Sequence, residues 1–233
     1  MRIPSGWLLV IILAQCAPAW SQDDDRVVPA HEEPRHVAKL ENQWVRIIDV
    51  EIPEGERTMY HAHSLDYPYV MISSVTLENQ VYGREPQEVK IERGVVGYYR
   101  ASTQGVYTHR FINRGPGTFR AIGIELLMPL QAGGRVKDPL AASPSVRTVL
   151  DTERVRAYRI AIAPGQSVGP LAIPGPGIRI AMTAGRISER VDGRDQAILD
   201  LAPAQFVFRD RPATTTIRNH GTTAVELVEF ELK

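Results

Sequence analysis

The sequence predicts an all-β fold arranged as two tandem domains, and three observations lead there. Runs of roughly five to ten residues rich in β-branched and aromatic side chains alternate with Gly, Pro and Asn punctuation. No long segment keeps a helical hydrophobic period. The chain also repeats itself: 40–55 (LENQWVRIIDVEIPEG) aligns without a gap on 150–165 (LDTERVRAYRIAIAPG), and 113–126 (NRGPGTFRAIGIEL) on 219–232 (NHGTTAVELVEFEL). Two copies of about 105 to 110 residues are implied.

Taken in order, residues 1–21 carry one Arg, an apolar run from Trp7 to Leu13 and small residues around Ala17 and Ala19. That is the pattern of an export signal with cleavage after Ala19 or Ser21, and the run is too short to span a bilayer. The sole cysteine, Cys16, leaves with it; Gln15 in front of it argues against a lipoprotein signal. The remaining chain has no thiol, so disulfides and cysteine chemistry are excluded and histidine and carboxylates are the available metal ligands. A periplasmic or extracellular location is expected. Residues 22–41 form a polar leader, 42–137 the first domain, 137–145 (KDPLAASPS) a linker and 146–233 the second domain. The 27 basic and 27 acidic residues cancel without forming a basic stripe, which sets nucleic acid aside, and no integral membrane segment follows the signal.

Within the first copy, 59–70 reads MYHAHSLDYPYV. In a strand, positions i and i+2 share a face, so His61 and His63 present two imidazoles side by side. Strand parity then forks: an inward Asp66 takes Val70 and Ile72 inward with it, whereas an inward Tyr67 takes Tyr69 and Met71. Both sets are apolar enough to be buried; a carboxylate is the better ligand for a divalent ion, which favours Asp66. In the second copy His61 and His63 become Leu171 and Ile173, and His109 becomes Thr215, while Gly55 and Asn113 recur as Gly165 and Asn219. Three histidines lost together are expected to act together.

Gly55, five residues, His61-Ala62-His63 and an acidic residue, then His109 separated by three residues from Asn113, resemble the two motifs of the cupin superfamily, and the duplication resembles a bicupin. The resemblance implies two tandem cupin-like (double-stranded β-helix or jelly-roll) barrels, a metal centre in the first only, and a second barrel that serves packing. It carries His61, His63 and His109 onto the family's histidine ligands and Asn113 onto a structural turn residue. Asp66 stands for the acidic ligand one or two positions early, with Tyr67 at the four-residue spacing.

Such a donor set suits one divalent transition metal, Fe, Mn, Zn or Ni, with one or two coordination positions left for a small-molecule substrate or ligand. Oxygenase chemistry and isomerase or lyase chemistry are both compatible with it. So is a non-catalytic envelope protein that only binds a small ligand or a metal. Tyr107, two before His109, and Tyr69 are the candidates for lining a substrate; the other tyrosines nearby are expected to pack the barrel. Arg100 and Arg110 are expected at the surface unless an anion recruits them, and His31, His36 and His220 are expected to be solvated. The resemblance also allows a homodimer.

Overall fold

The computed structural model describes residues 26–128, 140 and 144–233; the expected export signal and most of the linker lie outside them. The first half runs β1 (Val27–Pro29), β2 (His36–Glu41), β3 (Val45–Ile52), β4 (Tyr60–His63), β5 (Tyr67–Met71), β6 (Val75–Val81), β7 (Gln87–Ile91), β8 (Val96–Tyr99), a helical turn α1 (Ala101–Gln104), β9 (Tyr107–Gly115) and β10 (Phe119–Leu126). These strands close into two facing five-stranded sheets, β1-β4-β9-β6-β7 and β2-β3-β10-β5-β8.

The second half repeats the plan. β11 (Val146–Asp151), β12 (Val155–Ile162), β14 (Gly177–Ala181), β18 (Phe206–Arg209) and β20 (Val225–Leu232) form one sheet. Facing it, β13 (Ser167–Ile173), β19 (Ala213–Asn219), β15 (Gly185–Val191) and β16 (Arg194–Asp195) form the other, with β17 (Leu199–Leu201) also paired to β15. The fold is two tandem jelly-roll barrels, as the repeat predicts.

The asparagines that survive in both copies do the same work. Asn113 Nδ2 donates to the carbonyls of Ile52 and Gly117, and its Oδ1 accepts from the Gly115 N–H. Asn219 Nδ2 donates to Ile162 and Thr223, and its Oδ1 accepts from Gly221. Gly55 and Gly165, at φ 79° and 70°, take the left-handed turn conformation that favours glycine and donate to the Asn113 and Asn219 carbonyls. Each pins the β3–β4 or β12–β13 corner to its barrel.

The polar leader is more structured than expected. β2 pairs antiparallel with β3, and β1 pairs in parallel with β4, so the first barrel begins before residue 42. Buried Glu33 secures this strap by accepting hydrogen bonds from the backbone N–H groups of Arg35 at 2.7 Å and Met59 at 3.1 Å.

The two barrels share one apolar layer. Val45, Ile47, Val70, Ile72, Ile122 and Ile124 of the first pack with Val155, Ala157, Ile178, Ile180, Val228 and Phe230 of the second. The sheet carrying β3, β5 and β10 is therefore buried on both faces, one toward its own lumen and one toward the other barrel.

Candidate metal centre

β4 and β9 lie side by side with His61 opposite His109 and His63 opposite Tyr107. Alternation along β4 turns His61 and His63 into the lumen, and the same parity turns Tyr107, His109 and Phe111 there from β9. One ring nitrogen from each of His61, His63 and His109 lies within 4.8 Å of the other two. All three residues are buried. Their ring centres stand 4.5 to 5.2 Å apart.

For His61 and His109, hydrogen bonds fix which nitrogen faces the lumen. The Nδ1–H of His61 donates to the Met59 carbonyl at 3.0 Å, and that of His109 donates to Asn79 Oδ1 at 2.9 Å. Both rings then keep a lone pair on Nε2, the tautomer that a metal requires. His61 Nε2 is buried with no hydrogen-bond partner, and His63 Nε2 lies 3.2 Å from His109 Nε2. Two nitrogens bonded to one ion at ~2.1 Å, about 100° apart, would stand at about that distance. An orphaned buried acceptor aimed at two others is costly by itself and is satisfied by one cation, so the residues fit a metal.

Burial removes the charged form of these rings. It lowers His61 to about 4 and His63, aided by neighbouring His61, to about 3; His109 is also held well below the ordinary histidine range. At neutral pH all three are neutral and ready to ligate.

Asp66 is not among the converging groups, which corrects the preference for it as fourth ligand. It is buried in the turn just before β5, where its carboxylate accepts from the Ser102 N–H at 2.8 Å, the Ser102 hydroxyl at 3.0 Å, the Tyr98 hydroxyl at 2.9 Å and Arg154 Nη1 at 2.8 Å. Burial alone would raise its pKa, but these bonds outweigh it and hold the carboxyl below its ordinary value. Asp66 thus ties β5 and α1 to the second barrel. The physical reason is parity: Tyr67, Tyr69 and Met71 face the lumen, while Val70 and Ile72 fill the layer between barrels. The Tyr67 ring lies across Gly123 of β10, where a β-carbon would collide with it. Its hydroxyl is kept protonated by burial.

The triad sits in a chamber of about 260 Å³. Tyr69 and Tyr107 line it, as do Asn79, Tyr99, Met71, Val89, Ile91, Phe111 and Phe119. Asn79 serves twice, its Oδ1 accepting from His109 and its Nδ2 donating to the Tyr107 hydroxyl at 3.0 Å. Arg100 and Arg110 are elsewhere: Arg100 pairs with Glu153 at 3.0 Å and Arg110 lies over the Tyr60 ring.

One residue that sequence reasoning placed in solvent belongs here. His36 is buried, lines the chamber and sets its ring edge-on to His61 at 4.4 Å between centres. Its Nδ1–H donates to the Ala30 carbonyl at 2.7 Å. The alternation starting at His36 in HVAKLE was the available sign of a strand. His31 is partly exposed near Glu125, and His220 meets the Ser188 hydroxyl.

No family model and no curated protein matches this chain. Solved structures do match in shape. AerE from Microcystis aeruginosa is 12% identical with a TM-score of 0.58, covering 86% of this chain and 98% of that one. A cupin 2 conserved barrel domain protein from Leptotrichia buccalis is 14% identical with a TM-score of 0.50, covering 83% and 86%. A mutant salicylate 1,2-dioxygenase from Pseudoaminobacter salicylatoxidans, in complex with gentisate, is 12% identical with a TM-score of 0.57, covering 87% and 76%. At these identities the likeness is one of fold, and that fold is the bicupin.

Proposed function

We propose that this protein is an exported metalloprotein of cupin fold, and that it is a metalloenzyme of oxygenase or isomerase/lyase type acting on a small oxygenated molecule. One observation carries the reading: three buried, neutral imidazoles from two strands aim ring nitrogens at one point, and one of those nitrogens has no other partner. The dioxygenase named among the similar folds agrees with it. Export is supported by the apolar run at 7–13 and the small residues around Ala17 and Ala19 that follow it.

His61, His63 and His109 would hold the ion. With Asp66 engaged elsewhere, the donor set is all imidazole, which moves the expected metal toward Zn, Fe or Ni and away from Mn. A bound divalent ion supplies Lewis acidity, or oxygen activation if it is redox-active, at a position that three protein ligands leave open. The chain's own residues do the rest. Met59 and Asn79 hold the histidine tautomers, and the apolar walls exclude water and orient what enters.

The test is elemental analysis of the purified protein followed by oxygen uptake and product analysis against small phenols, keto acids and sugars. One equivalent of metal that disappears in His61→Ala, together with turnover of one compound class, is the expected result. Stoichiometric metal without any turnover would favour the binding-protein alternative. Background metal in the wild type would defeat the proposal.

A further inference from the structure

The chamber's two ends differ chemically, and the difference specifies an occupant. Beside His61, His36 is a fourth inward imidazole that lies outside the converging triad. Its Nδ1 is spent on the Ala30 carbonyl, so Nε2 carries a lone pair. The strap that places it is held at one end by the parallel pairing of β1 with β4, in its middle by Glu33 bonded to the Met59 N–H, and at His36 by the pairing of β2 with β3. A lone pair facing the chamber beside a cation site can accept an O–H from a bound molecule.

The walls add a second restriction. Tyr69, Met71, Val89, Ile91, Tyr99 and Phe111 line the chamber, and among the described residues no Lys, Arg, Asp or Glu does so. An ion at the triad can offset one anionic oxygen that touches it. A second charge, at the far end of the ligand, would be desolvated between walls that hold no counter-ion, which opposes its binding. The volume of about 260 Å³ falls below the ~300–1,000 Å³ of sites for drug-sized ligands and fits a single ring.

Resting on the reading of the triad as a metal site open to a small molecule, we propose that the chamber selects a small hydroxylated ring that gives a hydroxyl hydrogen to His36 Nε2 and carries no charged group at its distal end. His36 is thus a positioning residue for the ligand and not a metal ligand.

The test uses the full protein loaded with Zn(II), which has no redox chemistry, and calorimetric titration with catechol and with 3,4-dihydroxybenzoate, its carboxylated counterpart. Catechol is expected to bind at least about tenfold more tightly, and Ile91→Lys, which places a cation on the wall, to narrow the gap to about threefold or less. His36→Phe is expected to keep its zinc and lose about tenfold in catechol affinity, whereas His36→Gln, which retains an acceptor oxygen, keeps most of it. Equal or tighter binding of the carboxylate by the wild type overturns the proposal, as does unchanged catechol affinity in His36→Phe. Bound zinc with affinity for neither compound also overturns it and leaves the metal site standing. Failure of the wild type to hold zinc defeats the functional reading instead.

Discussion

The two barrels are built on one plan and fill their lumens in opposite ways. The first keeps His61, His63 and His109 around a chamber; the second places Leu171, Ile173 and Thr215 at those positions, with Leu171 and Ile173 packed into a continuous apolar core. Strand register extends the comparison. Tyr69 pairs with Gly123 in the first barrel, and the equivalent pair in the second is Arg179 with Glu229. Arg179 is buried and is held by Glu229 at 2.6 Å, Glu189 at 2.6 Å and the Thr215 hydroxyl at 3.0 Å. Glu189 occupies the place of Asn79, and Thr215 that of His109. What chemistry needs in one lumen is replaced in the other by groups that satisfy one another. The shared turns at Asn113 and Asn219 are the part that architecture needs.

The comparison can be broken most severely at its ligands. Replacing His63 by Ala should weaken metal binding by more than the roughly 10–100-fold typical of outer-shell changes, measured by competition with a chelating dye. The corresponding change in the second barrel, Ile173→Ala, should leave metal content untouched and instead lower stability by about 2–5 kcal/mol through the cavity it creates.

Asp66 sharpens the comparison from another side. Asp66→Ala should destabilise the fold by about 3–5 kcal/mol, because it leaves Arg154 buried without its counter-charge. Metal content should stay at the wild-type level. A loss of metal without loss of stability would restore Asp66 as a ligand.

The pH response of the metal-free protein follows from the lowered histidines. Their folded values, about 4 for His61 and about 3 for His63, lie below the ordinary 6.5, so the unfolded chain takes up protons first. Their contribution to stability is complete above about 6.5 and is lost progressively as the pH falls toward 4 and below. Denaturant melts at stepped pH should show that loss in the wild type and less of it in the His61→Leu, His63→Ile, His109→Thr variant, which copies the second barrel. The smallest effect is expected at Asn79: Asn79→Ala removes the acceptor that orients His109 and should reduce metal affinity by about tenfold.

Much of this was legible in the sequence, for physical reasons. Duplicated strands with Gly and Asn at fixed corners announce two barrels, and His61, His63 and His109 announce themselves by disappearing together from the second copy. The face of β5 was not legible. Val70 and Ile72 are as apolar as Tyr69 and Met71 because the second barrel covers the outer face of that sheet, so alternation gives no sign of which side is the lumen. Asp66 then looked like a ligand when its partner was Arg154, 88 positions along the chain. His36 was hidden by its context, since the leader is polar and one short alternating run does not announce the β2–β3 pairing, His36 opposite Val50, that turns the ring inward.

Crystals of the zinc-loaded protein, with anomalous scattering recorded at the zinc edge, would locate the ion directly. One anomalous peak per chain, ~2.1 Å from a ring nitrogen of each of His61, His63 and His109, with none in the second barrel, is the predicted outcome. An empty first lumen, or a peak held by other residues, would contradict it.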